Sequence, residues 1–548
     1  MIAMEFLLFF TSIIILSISI SGYGSVLSNN LRSNFFIDFF LGYLTISLLI
    51  TLTHFFLNIS IYFNILILIF GIIIFYKKNK FKILKSIKNL NLFNLIVILL
   101  LIPMFLSQKY HEDFGYYHLP YALSFIEEKI VFGFGNINEP FLYNSIWLNL
   151  YPLFIINQNF DLLTLPSFLL FLGFIIFSIN YISRKKNIEN SDYYLVTVLF
   201  YFLLKFTRIS EFGVDFPAVI FLVLSIFYFI KFYEAIENFD KKSFFFLHLS
   251  FSIFSILIKL STILVIILPI YIYFTNFKRL NFFIFKKNFL IIYLLVIIFL
   301  VQQFVYSGCF LYPTKVSCFN ISWFNLDHLN LSTKLELINK SYSAAKNIYT
   351  PQEYLNNFTW FSYWLKRNFI EIVEHLITMS LPLLIFFLFL KKKEPYNFIF
   401  PKKLFLYFFC IISLFFWLNF SPVFRFAIHI FLILIFLLFS SFLFSKKFSK
   451  KKFLIFVSIF LFFNFSKNIL RISDSEKIFL GIQKIENKYV LNNKSNNEYI
   501  NVYKPDIKKN KKNGWQGRLC WNTPFICSYE ELDVKKKNGY LIINKLSN

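Results

Sequence analysis

The chain is dominated by uninterrupted apolar runs, about as long as the roughly 20 residues a helix needs to cross a 30 Å hydrocarbon core. Candidate spans lie near 4–21, 35–57, 60–76, 91–107, 161–183, 193–206, 215–233, 245–258, 260–275, 288–305, 374–390, 403–419, 424–444 and 452–466. That is about fourteen spans. Only 15% of residues are charged, too few to cover soluble domains of this total size. A soluble enzyme, a disordered tail protein and a secreted disulfide scaffold are excluded. The expected fold class is an all-α polytopic integral membrane protein. The N-terminal MIAMEFLLFF has no basic region ahead of its apolar run, so a first span is expected rather than a signal peptide.

A net charge of +26 would suggest a nucleic-acid partner in a soluble protein. Here the basic clusters fall in alternate loops: Lys77–Lys88, Arg184–Lys186, Lys231–Lys242, Lys278–Lys287, Lys391–Lys403 and Lys446–Lys452. The positive-inside rule places all six in the cytoplasm and no nucleic-acid partner is expected. The expected organisation is then N-terminal helices over 1–107, a first outer loop over 108–160 and a transmembrane core over 161–305. A second outer loop over 306–372, C-terminal helices over 373–466 and a small outer tail domain over 467–548 complete it. The apolar run Phe244–Phe274 is too long for one span, so a tight outer turn is expected around Lys259 and Ser261. Asn144–Gln158 is too short to span and reads as an interfacial or re-entrant helix. The tail is expected to pack on the second outer loop, with Lys508–Lys512 as a solvated linker.

Cys309 and Cys318 share one outer loop, Cys520 and Cys527 share the tail, and Cys410 is alone in a span. Pairing within each segment would close loops worth roughly 2–3 kcal/mol apiece in an oxidising compartment. The alternative is two reduced pairs without a role.

Charges beside a membrane are costly, so their placement carries functional information. The densest group is Ser107-Gln-Lys-Tyr-His-Glu-Asp-Phe-Gly-Tyr-Tyr-His118, with His111, Glu112, Asp113 and His118. One carboxylate of an adjacent Glu-Asp pair can act as general base for an acceptor hydroxyl, while the other tunes it or helps hold a divalent cation. The alternative is a solvated polar loop. His111 and His118 are candidate metal ligands with Asp113, or hydrogen-bonding residues that position the loop. Tyr116 and Tyr117 read as interfacial belt residues. Tyr117, four residues after Asp113, would touch it if the loop is helical. Lys259, Arg425 and Arg208 fall at outer turns, where cations stabilise a lipid phosphate or merely anchor helix ends. Trp323, Trp360 and Trp364 stack on a sugar or form an amphipathic lid.

An acidic residue before Tyr-His, then Gly133-Phe-Gly-Asn136 and Asn144-Ser-Ile-Trp147, resembles the first outer loop of bacterial membrane proteins related to the GT-C glycosyltransferase superfamily. That superfamily includes protein mannosyltransferases and aminoarabinose transferases. Gly213-Val-Asp-Phe-Pro217, Ile258-Lys-Leu-Ser261, Ser307–Pro313, Ser421–Phe426 and Cys520–Cys527 extend the similarity over about 105–530. The resemblance implies a GT-C-like fold and transfer of a sugar from a polyprenyl-phosphate-linked donor to a glycan, lipid or protein acceptor. It implies the periplasmic face of the bacterial inner membrane as the place of transfer. It assigns Asp113, with Glu112 beside it, as the catalytic pair. His118, Tyr117, Asp215, Lys259, Arg425 and Arg208 become substrate-binding candidates, with Mg or Mn as a possible divalent cofactor. The alternatives are an O-antigen polymerase or ligase, and a lipid-linked glycan transporter or flippase.

Overall fold

A computed structural model describes residues 2–28, 31, 34–79, 92–106, 113–155, 163–185, 188–207, 213–392, 402–444, 446–473, 491–495, 498–509, 516–520 and 523–545. The chain is mostly helical, and a helix occupies each of the apolar runs. These are α1 (Ile2–Leu27), α2 (Phe35–His54), α3 (Ile61–Asn79), α4 (Leu92–Leu106), α5 (Leu119–Glu127, in the first loop), α6 (Leu165–Ser183) and α7 (Asn190–Lys205). They continue as α8 (Asp215–Glu234), α9 (Asn238–Ile258), α10 (Ile267–Thr275), α11 (Lys287–Ser307), α12 (Trp360–Phe389), α13 (Lys403–Phe420), α14 (Phe424–Phe444) and α15 (Lys450–Ser473). Among the described residues, 10 helices are long and apolar enough to cross a membrane. Leu92–Leu106, Leu260–Thr275 and Phe424–Ser440 are shorter apolar stretches. The chain is a multi-pass membrane protein.

Small residues let the first helices approach closely. A Cβ on Gly24 of α1 would lie 1.6 Å from the Asp38 carbonyl oxygen of α2, and one on Gly42 would lie 1.9 Å from the Ile20 oxygen. Asp38 is buried here and accepts the Ser28 hydroxyl at 2.5 Å. Away from this contact the helices pack by aromatic interdigitation, as where the Phe221 ring meets Phe254 edge-on at 4.7 Å.

Several expectations are corrected. Helix α12 starts at Trp360, inside the segment read as second outer loop. At 1.5 Å per residue its 30 residues run about 45 Å, well beyond a 30 Å hydrocarbon core. Its buried face, Trp360, Trp364, His375, Met379 and Leu383, keeps helical spacing across that boundary. Trp360 and Trp364 are 2% and 3% exposed, so neither offers a ring to a sugar or lies on the surface as a lid. Trp364 Nε1 donates to the Pro422 carbonyl at 2.6 Å, and Lys340 sits 4.6 Å over the Trp360 ring. Trp323 packs on Phe132 and Phe304.

Likewise α15 runs to Ser473, past the expected start of the tail at 467. Of the segment Asn144–Gln158, residues 144–155 are described, and they hold a largely buried 3-10 stretch, Leu148–Phe154, packed among helices. The tail is built of antiparallel hairpins, β1 (Leu491–Ser495) with β2 (Glu498–Val502), β3 (Asp506–Lys509) with β4 (Gln516–Leu519), and β5 (Leu532–Lys537) with β6 (Tyr540–Lys545). Lys508 and Lys509 therefore belong to a strand; the rest of the expected linker lies outside the described residues. The backbone bridges from the tail reach the first outer loop: Phe132 N–H donates to Leu541, and Ile543 N–H donates to Phe132.

Gly24→Val should lower the thermal midpoint of the protein in detergent, through overpacking that costs about 1–3 kcal/mol. Ile14→Val on the exposed face of α1 should leave the midpoint unmoved. Equal midpoints for both variants would contradict close α1–α2 packing.

Candidate functional site

The site begins where helix α9 fails to continue. Lys259 adopts extended backbone (φ −151, ψ 113) between α9 and the 3-10 segment Leu260–Ile266, as the expected turn requires. The last α9 carbonyls, which have no helical partner, are taken by the first outer loop. Ile146 N–H donates to the Leu257 oxygen at 3.1 Å and the Ser145 hydroxyl to the Ile258 oxygen at 2.8 Å. Ser255 ties the end of α9 to α8 through the Ala218 oxygen at 3.0 Å and to Thr262 at 3.2 Å. The Lys259 side chain is thereby turned toward the first residue of α8.

That residue is Asp215. One carboxylate oxygen pairs with the Lys259 ammonium; the other accepts Arg425 Nε at 3.1 Å from the start of α14. The Phe426 ring lies under both cations, 3.5 Å from Lys259 Nζ and 5.4 Å from the Arg425 guanidinium carbon. A desolvated cation over an aromatic face is stabilised by the ring quadrupole. Asp215 and Lys259 are largely sheltered, whereas Arg425 is half exposed.

Asp113 enters from the first loop. It precedes a π-type turn, Phe114–His118, that runs into α5. Asp113, Asp215 and Arg425 all act electrostatically on the Tyr117 phenol. Burial pushes that phenol well above its usual range, with the two carboxylates adding and Arg425 opposing, so Tyr117 stays a neutral hydrogen-bond donor. Asp113 and Asp215 also feel one another. Asp113, Tyr117, Asp215, Lys259 and Arg425 thus occupy one neighbourhood. His118 is buried beside Tyr117 and Tyr151, its ring 4.1 Å from that of Tyr117. Glu112, His111 and Arg208 lie outside the described residues.

Arg425 and Asp215 also line a cavity of about 730 Å³ that sequence reasoning did not foresee. Its other charged walls are Lys205 at the end of α7, Glu371, Glu374 and His375 on α12, and Lys467 and Arg471 on α15. Lys205 pairs with Glu374 at 2.6 Å, and His375 Nδ1 meets the Tyr201 hydroxyl at 2.7 Å. Arg471 is held by the Thr207 carbonyl at 2.8 Å and by Asn468 Oδ1 at 3.0 Å. Lys205, Lys467 and Arg471 lie within electrostatic reach of one another, with Glu374 as counter-charge. Lys205, Lys467 and Arg471 against Glu371 and Glu374 leave one net positive charge, which favours an anion. Its lining also includes the apolar residues Ile377, Leu381 and Phe463, which are 51%, 48% and 44% exposed. Lys467 lies 5.5 Å from the Phe463 ring, so charged and exposed apolar side chains adjoin in one cavity.

A signal for the missed residues was available: Asn464, Asn468 and Arg471 recur at helical spacing across the end of the last apolar run, and Glu371, Glu374 and His375 do so across the start of an earlier one.

Asp215 does not fit a divalent cation, because both its oxygens already hold cationic partners. Among the described residues no group of three His, Cys, Asp or Glu side chains could hold a metal. Both expected cysteine pairs are joined in the structure, Cys309–Cys318 and Cys520–Cys527, and Cys410 is buried and free.

Residues 6–432 match the family described as "Domain of unknown function (DUF8201)". That is well over half of the chain, which belongs to this family. No curated protein and no solved structure matches it.

Lys259→Met, Asp215→Asn and their combination form a double-mutant cycle that measures the shared carboxylate. A coupling of about 1–3 kcal/mol is expected from thermal unfolding in detergent, as for hydrogen bonds to charged groups. A coupling near zero would mean that the Lys259 ammonium is not held by Asp215.

Proposed function

For this member of the DUF8201 family we propose membrane glycosyl transfer from a polyprenyl-phosphate-linked sugar to a hydroxyl acceptor. The reaction would take place at the periplasmic face of a bacterial inner membrane. The observation that carries this reading is the cavity: Arg425, Lys467 and Arg471 line it beside Asp215, and its apolar lining is exposed at Ile377, Leu381 and Phe463. That combination suits an anion attached to a long hydrocarbon. Sidedness rests on the Lys distribution. Asp215 and Arg425 open their helices, Lys205 and Arg471 close theirs, and the basic clusters lie at the opposite ends of the same helices.

In this reading Asp113 accepts the proton of the acceptor hydroxyl as its oxygen forms a bond to the anomeric carbon. The bond from that carbon to the phosphate oxygen breaks, and its electron pair leaves with the lipid phosphate. The cations of Arg425, Lys467 and Arg471 stabilise the developing negative charge. The Nε of Arg425 is committed to Asp215, and its terminal nitrogens remain for a bidentate phosphate contact. Tyr117, neutral in its carboxylate-rich pocket, donates a hydrogen bond that orients the base or the acceptor. Glu112, Arg208 and His118 stay in the same proposal as substrate-binding or tuning residues. The roughly fourteen spans, the GT-C-like arrangement and the outer position of the tail belong to it as well.

Asp113→Asn should abolish transfer, with loss of a surface glycan and accumulation of its lipid-linked precursor at unchanged protein level. Loss of a positioned general base typically costs 10²–10⁴-fold in rate. An unchanged glycan profile in cells whose only copy carries Asp113→Asn would overturn the assignment of Asp113 as base.

A further inference from the structure

The family match ends at residue 432, yet a segment beyond it touches the turn that follows the candidate base. The π-type turn Phe114–His118 is a rare backbone form whose polar groups need partners outside the turn. One such partner comes from the tail: the Gly115 carbonyl accepts Cys520 N–H at 2.8 Å. The next residue, Tyr116, meets the ring of Tyr529 edge-on at 5.4 Å. The Tyr116 carbonyl is held by Asn138 Nδ2 at 2.7 Å, so the tail and the first loop grip the turn from two directions.

The gripping segment is itself braced. Cys520 and Cys527 are joined covalently, and both are 3% exposed or less. Tyr503 N–H donates to Ile526, and Ser528 N–H donates back to Tyr503. The tail is anchored a second time, at Gly133. There Asn136 Nδ2 donates to the Ile543 carbonyl at 2.8 Å, and a Cβ on Gly133 would come within 2.2 Å of that oxygen. The Tyr540 hydroxyl reaches the Phe55 carbonyl at the end of α2. A segment tied to the bundle at Gly133 and Phe55 can hold Gly115 in a fixed place.

We propose that the C-terminal hairpin segment is a positioning clamp for the Asp113 turn, with Tyr529 and the disulfide-bonded Cys520 as its contact residues. The clamp sets where Asp113 and Tyr117 stand relative to Asp215 and Arg425. Tyr529 is assigned as a positioning residue through its ring contact with Tyr116. The proposal rests on the glycosyl-transfer reading only for the name of what is positioned; the mechanical coupling stands on the contacts alone.

The test is amide hydrogen exchange of the full-length protein in detergent, comparing the natural chain with Tyr529→Ala, Tyr529→Phe and Cys520→Ser/Cys527→Ser. In Tyr529→Ala, exchange of residues 113–118 should rise about tenfold or more while peptides of α8 and α9 stay unchanged. Tyr529→Phe keeps the ring contact and should restore protection. If the double Ser variant does not fold, the Tyr529 pair still decides the matter. Unchanged exchange at 113–118 in Tyr529→Ala, or a rise shared equally by α8 and α9, overturns the clamp. The surface glycan separates the two readings. Loss in Tyr529→Ala with rescue in Tyr529→Phe supports positioning. If exchange responds while Asp113→Asn keeps its glycan, the transferase reading fails and the clamp stands. If Asp113→Asn loses its glycan while Tyr529→Ala leaves exchange unmoved, the clamp fails and the transferase reading stands.

Discussion

The Asp215 carboxylate is the interaction on which the arrangement of the polar end of the bundle depends. It joins the first residue of α8 to the break after α9 and to the start of α14, three elements remote in sequence. A carboxylate or an ammonium stripped of water is costly by several kcal/mol unless paired. Here two cations share one anion and lie over the Phe426 ring, so each helix end is stable only where the other two place it. Of the two cations, Arg425 also lines the cavity with Asp215. Arg425 suits this position better than a lysine would. A guanidinium can give Nε to Asp215 and keep its terminal nitrogens for the cavity, whereas an ammonium is a single point charge.

The first outer loop is irregular backbone packed among helices, which is tolerated only if its polar groups find partners. A network of amides supplies them. The Tyr121 hydroxyl bonds to Asn149 at 2.6 Å and to Asn144 at 3.0 Å. Asn149 reaches Thr51 of α2 at 2.7 Å, and Gln302 of α11 takes both asparagines at 3.0 Å. Gln303 accepts the Asn144 backbone N–H at 3.1 Å. Asn144 stands beside Ser145 and Ile146, the residues that cap α9. The amide network therefore fixes the cap, the cap fixes the break at Lys259, and the break aims its ammonium at Asp215.

The helices were legible because hydrophobic runs of membrane length have few alternative readings. The Lys259 break was legible because a single cation divides an apolar run of awkward length. Asp215, Lys259 and Arg425 stood out by the same logic of isolated charges at span ends. Lys205, Lys467, Arg471 and the α12 carboxylates did not. Hydropathy closes a span at its first charges, although α12 and α15 continue as amphipathic helices past that point. Asn464, Asn468 and Arg471 share a face, and only periodicity reveals it. The seating of the tail was not legible at all. Hydrogen bonds between Phe132 and the strand residues Leu541 and Ile543 link positions about four hundred residues apart, and no local pattern encodes such a pairing.

These dependencies run in one direction, from the membrane outward. Buried amides hold the first loop, the loop caps α9, and the capped helix presents Lys259 to Asp215. The tail reaches the same loop at Gly115, whose carbonyl accepts Cys520 N–H. Asp113 and Tyr117 flank in sequence the two residues that the tail contacts, Gly115 and Tyr116. A turn braced by such contacts has less entropy to lose when its groups act. The acidic loop therefore gains its chemical meaning from neighbours that carry no charge themselves: Gly115, Asn138, Tyr529 and the backbone of Cys520.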